Sequence, residues 1–282
     1  MLATLGDLVE DVVVRHDGPI NNASDTLARI TRRRGGSAAN VASVAAHLGY
    51  RTRFIGQVGT DAIGRALVDE LDAEGVDVSA VRRSGTTGTI VALVDHAGER
   101  TMLTDRRACL DLDQPDPAWL DNVTVLHVPF YSLVEPPISD TAITVIGWAH
   151  ERQIPVSIDA SSSSIIEMFG VAETRELLAD LDPAVLLANG NEATTLGIDG
   201  PLGNTLVVIK RGPQPAVVLT AGSAPIEIPA IAVDSVIDTT GAGDAFAAGF
   251  LCYGDEVGWL VDPIEACRAG HRAAATLLTS LR

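Results

Sequence analysis

The chain has 282 residues, 46% of them hydrophobic, and 37 acidic against 20 basic residues give a net charge of −17. This charge excludes a general nucleic-acid-binding surface, which needs a positive face, and the three widely spaced cysteines exclude a disulfide framework or a zinc site. The length suits one large α/β domain over residues 1–282. We expect a cytoplasmic protein with no membrane partner, because no apolar run reaches about 20 residues and the start has no basic leader.

Short β-branched runs alternate along the chain with longer small-residue or amphipathic segments. This pattern predicts buried strands at Val123–Val128, Val156–Asp159, Val185–Ala188 and Leu206–Ile209. It predicts helices at Ser37–Leu48, Ala62–Ala73, Asp140–Glu151, Thr174–Leu181, Ala242–Leu251 and Pro263–Leu278. Such alternation favours a mostly parallel sheet between two helical layers, an α/β/α sandwich with ligands at the carboxyl ends of the strands.

A second group of segments breaks this alternation and predicts a small antiparallel sheet. Its predicted strands are Val9–Arg15, Thr89–Asp95 and Arg100–Thr104, and a hairpin turn at His96–Glu99 joins the last two. We expect these segments, about 9–16 and 88–105, to form a lid that excludes water from a ligand site. The pattern equally allows them to be edge strands of the main sheet.

Near the amino end, Gly35 and Gly36 open a small-residue helix that carries Asn40. The turn brings backbone N–H groups next to a ligand, and an asparagine offers both a donor and an acceptor to a polyol hydroxyl. Asp7 and Asp11 follow the first strand, where carboxylates accept hydrogen bonds from paired hydroxyls. These residues predict an acceptor site for a polyol, while close helix packing and plain turn roles remain open.

The most specific motif runs from Asp238 to Phe246, a glycine-rich turn that leads directly into a helix. The free amides and the dipole of a helix N-terminus hold an anion such as phosphate, and Gly241 and Gly243 let the backbone approach it. Asp244 would take a proton from an attacking hydroxyl there. The motif predicts a kinase, and the alternative is an ordinary loop in which Asp244 caps the helix.

These motifs together resemble those of the PfkB, or ribokinase-like, family of carbohydrate and nucleoside kinases. The segments Gly35–Gly49 and Asp238–Gly249 are similar to its two signatures. Gly56–Gly64 is similar to its G-x-D-x-x-G turn, and Asn189–Glu192 to its N-x-x-E motif. The resemblance covers nearly the whole chain and implies a ribokinase-like fold with a β-sheet lid, Mg²⁺ and ATP as cofactor and co-substrate, and a homodimer formed through the lid.

The resemblance also implies roles for individual residues. Asp244 would be the catalytic base, and an anion hole would be formed by the amides of Gly241, Ala242 and Gly243. The expected acceptor site comprises Asp7, Asp11, Gly35, Gly36, Asn40 and Arg106. Asp7 and Arg106 are included because of the chemistry of their side chains, and the other four because of the resemblance. The expected nucleotide site comprises Asn189, Lys210, Gly212, Thr239 and His271, although a lone histidine on a helix is more often structural. Glu192 would hold Mg²⁺ through water.

Two departures from the family pattern concern the nucleotide side. Pro213–Pro215 follows Gly212 where relatives often have a second glycine, and the chain ends at Arg282 where many relatives continue through a loop beside the adenine and a monovalent-cation site. The resemblance therefore does not extend to potassium activation, which is doubtful here.

The expected function is ATP-dependent phosphorylation of a hydroxyl on a small sugar or sugar acid, of the ribokinase, fructokinase or 2-keto-3-deoxygluconate kinase type. One alternative is a nucleoside kinase, in which Phe130 and Tyr131 would stack on the base. In another, Arg106 and Arg107 would clamp the carboxylate or phosphate of an anionic acceptor. A third alternative is a catalytically silent sugar- or nucleotide-binding regulator.

Overall fold

The computed structural model describes residues 1–96, 99–234, 236, 238–259 and 261–280. The strands in this part of the chain are β1 Leu2–Leu5, β2 Val9–His16, β3 Ala28–Gly35, β4 Thr52–Val58, β5 Val81–Arg83, β6 Thr89–Val94, β7 Arg100–Asp105, β8 Val125–Pro129, β9 Val156–Asp159, β10 Val185–Asn189, β11 Leu206–Lys210, β12 Ala216–Leu219 and β13 Ile226–Ile228. The α-helices are α1 Ser37–His47, α2 Ala62–Ala73, α3 Ile138–Glu151, α4 Ser163–Phe169, α5 Val171–Leu181, α6 Gly190–Thr195, α7 Ala242–Val257 and α8 Pro263–Ser280.

The main sheet has nine strands in the order β13-β12-β11-β10-β9-β8-β1-β4-β5. All neighbours from β11 to β5 pair in parallel, and β12 and β13 add an antiparallel edge. Every residue of β8 and β9 is buried, as expected for parallel strands covered on both faces. The predicted mostly parallel sheet is confirmed.

Helices cover both faces of this sheet. On one face α3 and α5 contribute residues such as Val145 and Leu178 to an apolar cluster with the strands. On the other face α1, α7 and α8 contribute a second cluster that contains Phe246 and Phe250. The predicted α/β/α sandwich is therefore confirmed. The sequence prediction placed both ends of α2 and β9 correctly, whereas α7 continues beyond Leu251 to Val257.

Helices α7 and α8 approach each other closely at Gly249. A Cβ atom built on Gly249 would lie 2.6 Å from the Ala269 carbonyl oxygen and 2.8 Å from the Ala273 Cβ. This contact anchors α7, which begins next to the candidate site, against the rest of its layer. None of the helices in the described part of the chain is both long and apolar enough to cross a membrane.

A separate sheet has four strands in the order β3-β2-β6-β7, and we call it the small sheet. Its strands are not edge strands of the main sheet, so that alternative was wrong, while the role of the small sheet as a lid stays a prediction. Strand β2 pairs antiparallel with β3 but parallel with β6, so the expectation of a purely antiparallel sheet was wrong for that pair. The β6–β7 hairpin is confirmed, and Ala97 and Gly98 in its predicted turn lie outside the described residues.

Strand β3 was not predicted, because its sequence contains four arginines in place of a clear apolar alternation. It matters for the site, since it ends at Gly35 and leads directly into α1. Side chains of paired strands alternate between the two faces. The face of the small sheet that carries Asp11, Arg15 and Arg33 is called the inner face below, because Arg15 and Arg33 reach from it to Asp238.

Candidate active site

Helix α7 begins at the glycine-rich turn. Gly241 occupies its N-cap with φ of +77°, a left-handed conformation that favours glycine. The Ala242 amide donates to the Thr239 carbonyl at 3.1 Å, so it is already engaged. Within the described part of the chain, the amides of Gly241 and Gly243 have no hydrogen-bond acceptor. These two amides are therefore the ones available to an anion at this helix end.

The Asp244 carboxylate, in the first turn of α7, is held by two side chains of α1. Its Oδ1 accepts a hydrogen bond from Ser37 Oγ at 2.7 Å, and its Oδ2 accepts one from Asn40 Nδ2 at 2.8 Å. Burial raises the pKa of Asp244 to about 6, although both hydrogen bonds oppose that rise. The carboxylate is thus ionised at neutral pH but more basic than an ordinary aspartate.

Ser37 was not among the predicted site residues. Its signal in the sequence was its place directly after Gly36, one helical turn before Asn40, which puts both side chains on one face of α1. Asn40 was predicted to bind the acceptor, and its amide nitrogen instead donates to Asp244. The carbonyl oxygen of Asn40 has no protein donor within the described residues, which leaves it for a ligand hydroxyl.

Three neighbouring strands deliver polar residues to the carboxyl edge of the main sheet, next to α7. Asp159 ends β9, Asn189 ends β10 and Lys210 ends β11. The largely buried Lys210 Nζ pairs with Asp159 Oδ2 at 2.5 Å, and it would lie 3.6 Å from a Cβ built on Gly243. A positive charge therefore sits beside the proposed anion hole.

Asp159 was missed by the sequence analysis. It is the last residue of a correctly predicted strand, and the carboxyl ends of parallel strands are where ligands bind in such folds, so its position in the pattern was the available signal. In the structure it is 5% exposed and neutralises Lys210, which makes it a component of the site.

Asn189 and Glu192 form a capping box at the start of α6. Asn189 Oδ1 accepts from the Glu192 amide at 2.9 Å, and Glu192 Oε2 accepts from the Asn189 amide at 2.6 Å. Glu192 is only 2% exposed. Burial and the nearby Asp159 carboxylate raise the pKa of Glu192 to about 7, while Lys210 opposes the rise. Two buried carboxyl groups thus lie near one lysine, which pairs with Asp159.

The glycine pair before α1 fits tightly against the carboxylates of the first strands. A Cβ on Gly35 would lie 2.1 Å from Asp11 Oδ1, and a Cβ on Gly36 would lie 2.1 Å from the Asp7 carbonyl oxygen. Gly36 also has φ of +103°. Gly36 therefore admits only glycine, because a Cβ would collide with backbone, and the lack of a Cβ on Gly35 lets the Asp11 carboxylate lie directly against the chain just before α1.

Asp7 and Arg106, both predicted to bind the acceptor, bind each other. Arg106 donates from Nε to Asp7 Oδ2 at 2.7 Å and from Nη2 to Oδ1 at 2.8 Å, a bidentate geometry. The guanidinium also lies 5.9 Å from the centre of the Tyr131 ring. This buried pair occupies both partners, while Arg107 pairs with Asp105 on the surface.

Some predicted residues lie away from this cluster or in its periphery. His271 is buried on α8, with its ring 5.1 Å from that of Phe246, and burial lowers its pKa. Gly212 lies in the turn after β11 with φ of +58°. Phe130 is fully buried against Phe169 and presents no face to a base. The nucleotide roles of His271, Gly212 and Thr239 stay predictions.

A further cluster that the sequence did not indicate joins the small sheet to the glycine-rich turn. Asp238 lies within ion-pair distance of three inner-face arginines, namely Arg15, Arg33 and Arg100. Burial would raise the pKa of Asp238, but hydrogen bonds from Thr240 and Arg100 outweigh it and hold that pKa well below its usual range. The small sheet is therefore tied directly to the turn that precedes the anion hole.

Solved structures with the same fold include kinases. The structure of adenosine kinase from Sinorhizobium meliloti has a TM-score of 0.86 at 24% identity and covers 99% of this chain and 93% of its own. That of Arabidopsis thaliana ribokinase complexed with ribose and ATP has a TM-score of 0.81 at 23% identity and covers 99% and 92%. At these identities the likeness establishes the fold.

Sequence comparison establishes the family. The chain is 32% identical over 263 residues to the ATP-dependent ribose-1-phosphate kinase of Halopiger xanaduensis, covering 89% of this chain and 82% of that protein. It is 27% identical to the 5-dehydro-2-deoxygluconokinase of Clostridium beijerinckii, covering 87% and 78%. Residues 1–281 match the pfkB family of carbohydrate kinases. The chain therefore belongs to the pfkB carbohydrate kinase family and is a sugar kinase.

Proposed function

We propose that the protein transfers the γ-phosphoryl group of ATP to a hydroxyl group of a small sugar, sugar acid or sugar phosphate, with Asp244 as general base. The position of Asp244 carries this proposal. Its carboxylate lies at the N-terminus of α7 beside unpartnered amides. Its pKa is raised to about 6, which makes it more basic than an ordinary aspartate but still leaves it mostly ionised at neutral pH. A helix cap alone would need no such environment.

In this mechanism the acceptor hydroxyl oxygen attacks the γ-phosphorus as the bond to the ADP leaving oxygen breaks. The hydroxyl proton passes to Asp244. The amides of Gly241 and Gly243 and the ammonium group of Lys210 stabilise the charge on the transferring phosphoryl oxygens. Ser37 and Asn40 hold the Asp244 carboxylate in one orientation, and such positioning supplies a large part of the rate of phosphoryl transfer.

The residues present fit a magnesium ion. Asp159 and Glu192 are two buried carboxyl groups near one ammonium group, that of Lys210, which forms an ion pair with Asp159. A cation here would stabilise the ionised form of Glu192, whose pKa is raised to about 7. Among the described residues no three or more potential ligands converge, but Mg²⁺ is commonly held by one or two carboxylates together with water and substrate phosphates. Both Glu192 oxygens accept from Asn189, which favours contact through water. When bound, the ion would neutralise charge on the ATP phosphates.

The acceptor site is proposed to lie between Asp11, the Gly35–Gly36 backbone, Asn40 and Asp244. Asp11 packs against Gly35 at the start of α1, and Asn40 of the same helix donates to Asp244. The small sheet would act as a lid, since its inner face contacts Asp238 immediately before the anion hole.

A homodimer through the outer face of the small sheet is also proposed. The strand registers place six apolar side chains on that face, namely Val12, Val14, Ile30, Val91, Leu93 and Leu103. Ile30 is 59% exposed and Leu103 is 54% exposed. A contiguous apolar patch of this kind is typical of protein interfaces, and a second copy of the same face would cover it.

The test is release of ADP from Mg-ATP against a panel of sugars, sugar acids, sugar phosphates and nucleosides. Acceptor-dependent turnover is expected to fall by about 10² to 10⁴ in Asp244→Ala, with the folded state intact. Asp69→Ala, which removes an exposed carboxylate of α2, is the matched control and should retain activity. Unchanged turnover in Asp244→Ala would refute the assignment, and ATP binding without turnover on any acceptor would favour a binding regulator.

A further inference from the structure

Four arginines share the inner face of the small sheet. The registers align Arg29 of β3 with Arg15 of β2, Arg15 with Val94 of β6, and Val94 with Arg100 of β7. These residues form one row across all four strands, and cross-strand partners point to the same side of a sheet. Arg33 lies on the same face, paired in register with Asp11.

The positive charge of the four inner-face arginines is only partly neutralised by acidic side chains. Asp238 Oδ2 lies 3.2 Å from Arg33 Nη1 and 3.8 Å from Arg15 Nη2, and its Oδ1 pairs with Arg100. Arg29 has no carboxylate within ion-pair distance among the residues that the structure describes. Arg15 and Arg29 are directly opposite each other, an arrangement that is destabilising for like charges. A protein with a net charge of −17 thus concentrates positive charge on this one face.

An open cleft lies next to Arg15 and Arg29. It has a volume of about 440 Å³ and is lined by Arg15, Asp17, Leu27, Ala28 and Arg29. This volume falls within the range of small-molecule sites, which is about 300 to 1,000 Å³. Two guanidinium groups facing one such cleft can bind an oxyanion through paired N–H donors.

Ion pairs link this cleft to the proposed acceptor site, because Arg15 lines the cleft and lies 3.8 Å from Asp238, which Arg33 also contacts. Arg33 lies 3.8 Å from Asp11, which belongs to the proposed acceptor site, and it also contacts Asp238 before the anion hole. Arg15 comes two alternate positions after Asp11 along β2, so both side chains lie on the same face of the strand. A ligand that presents a hydroxyl to Asp244 and extends along the small sheet would meet these arginines.

We propose that the sugar acceptor carries an anionic group, a phosphate or a carboxylate, which Arg29 and Arg15 bind, with Arg33 and Arg100 adding positive charge. This inference rests on the proposed function, because it names the substrate class of the same site. In this proposal Arg29 and Arg15 take the anion-binding role that the sequence analysis considered for Arg106, because the Arg106 guanidinium is already paired with both oxygens of Asp7.

The kinetic test compares Arg29→Gln with Arg32→Gln. Both remove one charge from β3, but Arg32 lies on the outer face and pairs with Glu10. With an anionic acceptor, Arg29→Gln is expected to lower kcat/KM by about tenfold to a hundredfold, mainly through KM, because it removes charge-assisted hydrogen bonds. Arg32→Gln should stay within about twofold of the wild type. Separate arms with sugar phosphates and sugar acids identify which anion is bound. A neutral parent sugar that is used equally well, or an unchanged Arg29→Gln, would overturn the inference.

A binding measurement separates this inference from the proposed function. Thermal unfolding is followed with a sugar phosphate, a sugar acid or sulfate at constant ionic strength, so that screening is the same throughout. The wild type and Arg32→Gln are expected to be stabilised, and Arg29→Gln much less so. Anion-dependent stabilisation without any turnover would contradict the kinase mechanism alone. Turnover of a neutral sugar without anion-dependent stabilisation would contradict the anion site alone.

Discussion

Asp244 lies where two opposing effects act on one carboxylate. Burial disfavours its charged form and raises its pKa, whereas the hydrogen bonds from Asn40 and Ser37 favour the charged form. The net pKa of about 6 lies near the pH at which a general base is most effective. Its environment therefore has a direct consequence for the pH dependence of the reaction.

We predict that kcat/KM falls about tenfold per pH unit below pH 6, because only the ionised carboxylate takes up the acceptor proton. Asn40→Ala removes a donor that lowers the pKa of Asp244, so the acid limb should move to higher pH, whatever the loss in absolute rate. The measurement is the pH profile of kcat/KM.

Asn204→Ala is the control for that experiment, since this exposed asparagine lies in the turn before β11. Its acid limb should coincide with that of the wild type. A limb that stays in place in Asn40→Ala would show that Asp244 is not the titrating base.

At the scale of elements, the position of Asp244 depends on how α7 packs against α8. Gly249 and Gly147 lie in the interiors of two helices, and only Gly249 faces a close neighbour. Helix propensity favours alanine over glycine by about 0.8 to 1 kcal/mol in both places. At Gly249 the added methyl group would meet the Ala269 carbonyl oxygen at 2.6 Å, so overpacking opposes this gain.

We predict that Gly249→Ala lowers the free energy of unfolding by about 1 to 3 kcal/mol, and that Gly147→Ala raises it by about 0.5 to 1 kcal/mol. No atom lies within 4 Å of the position of a Cβ on Gly147, so it is the matched control. Urea unfolding of the three proteins measures both changes. Equal effects of the two substitutions would contradict the close packing of α7 on α8.

At the scale of the whole molecule, the two faces of the small sheet differ in character. The inner face carries arginines that reach the glycine-rich turn, and the outer face carries the apolar patch. This division suits a lid that contacts the site on one side and a second protomer on the other.

We predict that Leu103→Lys converts the proposed dimer to a monomer, because it places a charge on an exposed side chain of the apolar outer face, next to Val91 of β6. Light scattering coupled to size exclusion measures the mass. Met168→Lys, a substitution at a residue of α4 that is 65% exposed, should leave the mass unchanged. A monomeric wild type, or a dimeric Leu103→Lys, would contradict the proposed interface.

The local sequence determined most of the elements and the central motif. The strand Val156–Asp159 and the helix Ala62–Ala73 follow from short-range hydrophobic periodicity. The glycine-rich turn before α7 follows from the left-handed backbone conformation of Gly241, which glycine adopts more easily than other residues. The family and the identity of Asp244 as the candidate base were accessible in the same way, because their signals lie within a few consecutive residues.

The tertiary structure decided which side chains meet. Asn40 and Asp244 are 204 positions apart in the sequence, and Arg33 and Asp238 are 205 positions apart. No local pattern encodes such pairs. The same holds for Asp7, which binds Arg106 across 99 positions. Strand β3 was hidden because its arginines mask the alternation, and its pairing with β2 places Arg29 and Arg33 on the inner face and Arg32 and Arg34 on the outer face. Charge partners and strand neighbours depend on contacts between distant segments, which form only when the sheets assemble.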